Sequence, residues 1–152
     1  GRIVEALNRA GIADNTVVVF TSEHGEMAGD HGMLEKRAFY EEASRVPLLM
    51  CVPWLTTQQR YVSGNVGHVD LVPTLMDLMG GPEPGHLQGR SLLPVLQGEK
   101  TLAENDVFIE WNGTSDTLTD RDLGSPDINR MIPMPWRSVV TPDRRKSNRC
   151  PP

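Results

Sequence analysis

The sequence predicts an α/β chain over residues 1–100 and the start of a smaller, β-rich unit over residues 101–152. Three observations carry this expectation. The run Thr16-Val17-Val18-Val19-Phe20 is apolar and β-branched without polar alternation, the pattern of a strand covered on both faces in an α/β sheet. Helical periodicity lies on either side of it, in Arg2–Ala10 and in His68–Met79. Beyond about Lys100 the composition shifts, and the apolar segments become short and strand-like.

Each element follows in order. Ile3, Val4, Leu7 and Ala10 share one face of a helix that Gly11 is placed to stop. Asp14-Asn15 reads as a turn and Thr16–Thr21 as the first strand, followed by a polar loop punctuated by Gly25, Gly29 and Gly32. The charged segment KRAFYEEASR is a loop or short helix. Val46–Val52, flanked by Pro47 and Pro53, is a second strand. In His68–Met79, Asp70 is a candidate N-cap, Pro73 is tolerated in the first turn, and Gly80-Gly81 end the helix. A Pro/Gly-rich connector leads to the short apolar segment Ser91–Leu96. Asp106–Trp111 and Trp136–Thr141 read as strands, separated by a polar stretch from Asn112 to Asn129.

Totals narrow the function classes. At 152 residues the chain suits about one domain with a sizeable core. A net charge of −5 argues against a nucleic-acid partner, which would require a basic face. The one basic cluster, Arg144-Arg145-Lys146 with Arg149, reads as a solvated turn or strand end. No apolar run approaches the ~20 residues of a membrane span. The chain opens at Gly1 without methionine and is expected to be a piece of something longer, so a missing signal peptide carries no information. Two cysteines, Cys51 and Cys150, make no disulfide framework and leave the compartment open.

The chemistry gathers just past the first strand. In open α/β sheets ligands bind beyond the carboxyl ends of the strands, which is where Glu23 and His24 stand. A carboxylate beside an imidazole suits a divalent cation: oxygen alone favours Ca²⁺ or Mg²⁺, while nitrogen admits transition metals. Two residues do not complete a site, so further ligands must come from elsewhere. Lys36 follows Glu23 by thirteen positions, across a loop with enough glycine to fold back. An ammonium returning to a metal–carboxylate centre makes sense when the substrate is an anion.

The segment TVVVFTSEHGEMAGDHGMLEKRAFYEEASRVPLLMCVP resembles the second signature region of the sulfatase family, within the alkaline-phosphatase-like superfamily. HVDLVPTLMDLMG and LQGRSLLPVLQGE resemble the family's next helix and loop in the same order. DVFIEWNG and PWRSVVTPD are similar, more weakly, to strands of its small C-terminal subdomain. The resemblance implies part of an alkaline-phosphatase-like α/β/α sandwich. Residues 1–100 would form the C-terminal half of the catalytic domain, and 101–152 the truncated beginning of the subdomain. It makes Glu23 and His24 ligands of the family's divalent cation, usually calcium with magnesium as the other candidate, and Lys36 a contact to the sulfate ester. The family usually has aspartate at the Glu23 position, so the longer side chain must retract or bind differently. His31 is expected to orient the loop by hydrogen bonding, and Arg45 to pair with Glu41 or Glu42 and hold the loop shut. His68 and Asp70 read as helix-start residues, and His86 as a loop residue.

The family's nucleophile is a formylglycine made from cysteine in Cys-x-Pro-x-Arg, and two N-terminal aspartates usually complete its metal site. Cys51-Val52-Pro53-Trp54-Leu55 has Leu55 in place of the arginine and lies in the wrong place in the family order; Cys150-Pro151-Pro152 fails as well. The resemblance therefore implies a fragment of a hydrolase of sulfate esters, on a sulfated small molecule or glycan, with little activity alone. Two alternatives stay open: a phosphate- or phosphonate-ester hydrolase of the same superfamily, and a non-catalytic scaffold. Specificity is expected in the absent residues and in the loop around Asn112 to Pro135. Oligomeric state is not indicated.

Overall fold

In a computed structural model of the chain, which describes residues 1–36, 38–82, 84–112, 135–143 and, by backbone alone, 146–149, the first apolar face folds as helix α1 (Arg2–Ala10). Gly11 ends it as expected, in the left-handed conformation at φ 68°. Its N–H donates to Asn8 O at 3.1 Å and that of Ile12 to Leu7 O at 3.2 Å, a pairing that satisfies the last carbonyls. The loop around Asn112 to Pro135, Arg144, Arg145 and Cys150 fall wholly or largely outside the described residues. The described residues belong to two compact units, Gly1–Gln59 and Arg60–Asn112 with residues from Pro135 onward.

In the first unit, strand β1 (Val18–Thr21) pairs antiparallel with β2 (Leu48–Cys51), Thr21 opposite Leu48 and Val18 opposite Cys51. Both strands are shorter than expected, for local reasons. Thr16 is still held to the preceding 3₁₀ turn, its N–H on Ala13 O and its hydroxyl donating to Ile12 O at 2.7 Å. Pro47 has no N–H to give the ladder, which therefore starts at Leu48. Helix α2 (Glu41–Ser44) lies between the strands. The described residues do not cover the pair on both faces. Phe20 and Leu49 are direct cross-strand partners, 60% and 63% exposed, and their face is open within this unit. The buried side chains lie in the loop instead, where Met27, Met33 and Ala43 cluster with Ala38 and Tyr40.

In the second unit a 3₁₀ turn, His68–Asp70, leads into α3 (Leu71–Leu78), followed by α4 (Leu93–Gln97). Strands β3 (Val107–Trp111), β4 (Trp136–Val140) and β5 (Lys146–Arg149) form an antiparallel sheet in that order. Leu92, Val95 and Leu102 form a core with Val66. Asp70 does more than start a helix. It is buried; Oδ1 accepts the Arg90 N–H at 3.0 Å and Oδ2 the Gly67 N–H at 3.4 Å. The Thr74 hydroxyl donates to Asp70 O and accepts from Leu92 N–H at 2.9 Å. Arg90 donates to Asn105, whose Nδ2 donates to Asn65 O at 2.7 Å, and Asn65 in turn donates to Val140 and Thr141 carbonyls. Four stretches of chain, 65–74, 90–92, 105 and 140–141, are thereby cross-linked through satisfied polar groups. Among the described residues no helix is long and apolar enough to cross a membrane.

Candidate metal and anion site

Glu23 and His24 sit between two anchors. On one side is the last ladder residue, Thr21. On the other, Gly25 N–H donates to Ala43 O at 2.8 Å. The chain approaches Glu42 so closely there that a Cβ on Gly25 would lie 1.8 Å from the Glu42 carbonyl oxygen, so only glycine fits. The Ser22 hydroxyl donates to His24 O at 2.6 Å and fixes the intervening turn.

His24 Nδ1 lies 2.6 Å from Gly25 O. A carbonyl only accepts, so Nδ1 carries a hydrogen, and this tautomer of the imidazole has its lone pair at Nε2. Nε2 stands 3.8 Å from Glu23 Oε2, too far for a hydrogen bond. The Glu23 side chain is 90% exposed. Among the described residues only His24 is paired with it, and at 90% exposure the extra methylene relative to aspartate meets no obstruction. An oriented imidazole nitrogen and a free carboxylate are the donor types a divalent cation takes. The donor number falls short: among the described residues no group of three or more His, Cys, Asp or Glu gathers. Calcium takes six to eight oxygen ligands, so residues beyond this pair would have to complete the shell.

Lys36 is exposed and makes no hydrogen bond or ion pair among the described residues. The structure does not join it to Glu23 or His24 directly; it fixes the backbone beside it. Met27 N–H donates to Glu35 O at 2.8 Å, and Glu26 Oε1 accepts both Glu35 N–H at 2.5 Å and Ala28 N–H at 3.3 Å. Inside this closure, Ala28, His31 and Glu35 all have positive φ, at 50°, 53° and 67°. Left-handed backbone costs a non-glycine residue roughly 1–2 kcal/mol. Burying Met27 and Met33 contributes about 1.5–3 kcal/mol each, which offsets that cost and leaves the hydrogen bonds to choose the loop's shape.

Two expectations change here. His31 stacks on Tyr40, with ring centroids 3.9 Å apart and planes 10° from parallel, and makes no side-chain hydrogen bond among the described residues; its Nε2 is 4.0 Å from Glu42. Arg45 faces Glu41 at 3.8 Å, but that pair is largely exposed and contributes at most about 0.5 kcal/mol, so it does not hold the loop shut. Sequence reasoning missed Glu26. Its signal is faint: an acid directly after a glycine, at the mouth of a loop whose N–H groups need acceptors.

Comparison with known proteins supplies the remaining evidence. The family model described as Sulfatase matches residues 1–81. Arylsulfatase K of Canis lupus familiaris is 42% identical over 95 residues, 62% of this chain and 18% of that protein. The N-acetylglucosamine-6-O-sulfatase of Bacteroides thetaiotaomicron is 40% identical over 105 residues, 68% of this chain and 19% of that protein. A solved structure in complex with its substrate D-glucosamine-2-N,6-O-disulfate superposes with TM-score 0.73 at 28% identity, covering 93% of this chain and 27% of that one. A phosphonate monoester hydrolase from Silicibacter pomeroyi gives TM-score 0.70 at 26% identity, covering 98% and 31%. The chain thus spans about a fifth of the length of the curated relatives it matches.

Proposed function

This chain belongs to the sulfatase family, and we propose that it supplies half of the active site of a sulfuric ester hydrolase. The observation that carries the reading is the strand-end pair: His24 with Nε2 left bare by the Gly25 carbonyl, beside a Glu23 carboxylate that the described residues leave available. Glu23 and His24 would hold a divalent cation, with calcium ahead of magnesium on family grounds. When bound, such an ion neutralises charge on the oxygens of the ester. The Lys36 ammonium, without a partner among the described residues, brings positive charge to the same anion. Cys-x-Pro-x-Arg does not occur in this chain, so the attacking group belongs to other residues of the protein. Residues 1–100 as the C-terminal half of an α/β/α catalytic domain, and 101–152 as the start of a small C-terminal subdomain, belong to the same proposal.

A sulfated glycan is the substrate class we favour. Support comes from a relative named for N-acetylglucosamine-6-O-sulfate and a structural neighbour that holds a sulfated glucosamine as its substrate. Turnover of a generic aryl sulfate by the full-length protein tests the reaction type. Activity is expected, and it should fall on chelation of divalent cations, while the isolated 152-residue chain should be nearly inactive. Robust turnover by the isolated chain would sink the proposal.

The likeness to a phosphonate monoester hydrolase favours one second reading, since a cation–lysine pair serves either tetrahedral anion. Relative kcat/KM on an aryl sulfate and an aryl phosphonate separates the two. A non-catalytic scaffold would bind no cation specifically and turn over neither ester.

A further inference from the structure

We propose that Glu26 is a positioning residue for Lys36, setting the lysine's backbone at the mouth of the loop; the inference rests on the reading of Lys36 given above. The residue before Lys36 is tied at both backbone polar atoms. Glu35 N–H donates to Glu26 Oε1 at 2.5 Å, and Glu35 O accepts from Met27 N–H at 2.8 Å. The same Oε1 accepts Ala28 N–H at 3.3 Å, so one carboxylate oxygen gathers both ends of the loop two residues past His24. Glu35 holds φ 67°, a conformation that persists in a non-glycine residue only where neighbours fix it, and Glu26 and Met27 are those neighbours. Glu26 is exposed and faces no cationic side chain among the described residues. Its work is confined to backbone N–H groups, and one peptide unit carries it to Lys36. Misplacing a charge-bearing group by about 1 Å can cost on the order of 100-fold in rate.

The test is a double-mutant cycle in the full-length protein. Inorganic sulfate affinity and kcat/KM on a generic aryl sulfate are measured for wild type, E26A, E26Q, K36A and E26A/K36A, with unfolding midpoints followed in parallel. Alanine removes the acceptor, whereas glutamine keeps Oε1. E26A should lose about 10- to 100-fold, the usual effect of an orienting partner. E26Q should recover most of that loss, and E26A should cost nothing further once Lys36 is gone. Should E26A fail to fold, E26D replaces it, its carboxylate one methylene short of the Glu35 amide. An E26A or E26D loss that adds in full to that of K36A, or wild-type behaviour of either, overturns the positioning role and leaves the Lys36 reading standing. Wild-type sulfate affinity and turnover in K36A would remove that reading, and the inference with it.

Discussion

Two acids show how differently the two units treat charge. In the second unit Asp70 is 7% exposed, and its two oxygens accept the backbone N–H groups of Gly67 and of Arg90, the latter twenty residues away in sequence. In the first unit the Glu23 side chain is 90% exposed and, among the described residues, faces only an imidazole nitrogen beyond hydrogen-bond reach. A buried carboxylate turned onto backbone N–H groups is spent on the fold, and its removal is felt in stability. An exposed one beside an oriented lone pair does little for folding and remains free to coordinate. The loops around them differ in the same sense. The second unit cross-links its chain through side-chain amides, while the first holds three non-glycine residues at positive φ over a small methionine-rich cluster. Strain of that kind concentrates where a ligand must be met.

This contrast can be broken at several points, taken from the largest expected effect. Lys36→Ala in the full-length protein should lower kcat by about 10²–10³-fold, as for loss of one charge-stabilising donor, without moving the unfolding midpoint. A shifted midpoint would make Lys36 a structural residue like Asp70. Gly25→Ala should destabilise by about 3 kcal/mol, the upper end of overpacking, because its Cβ would collide with the Glu42 carbonyl. Denaturant unfolding measures this. Asp70→Ala leaves the Arg90 and Gly67 N–H groups without their acceptor and should cost about 2–3 kcal/mol in the same assay. A change within about 0.5 kcal/mol would show that the polar network is ornamental. The smallest effect runs the other way. Ala28→Gly relieves a left-handed residue on an exposed turn and should stabilise by up to about 1 kcal/mol.

What was legible in the sequence was local. Helix α1 and its stop at Gly11 follow from periodicity and one glycine, and the positions of β1 and β2 follow from a β-branched run and an apolar run between prolines. Glu23 and His24 are adjacent to a strand end by sequence alone, so their placement could be read directly. Coverage of the strands could not, because it depends on what packs against them; Phe20 and Leu49 are open within their unit. The Asn65–Asn105–Arg90–Asp70 chain was also out of reach, since its bonds join residues up to forty positions apart with no shared period. Glu26 escaped for a related reason: its partners are backbone amides of an irregular loop, which leave no mark on side-chain pattern. The roles proposed for Glu23, His24 and Lys36 rest on family resemblance together with this geometry.

Calcium titration of the full-length protein by calorimetry, wild type against Glu23→Ala, addresses the central claim most directly. The account predicts one specific site in the wild type, weakened in the variant by more than the roughly 10- to 100-fold that an outer-shell partner costs, at an unchanged unfolding midpoint without metal. Identical isotherms for the two proteins would contradict it.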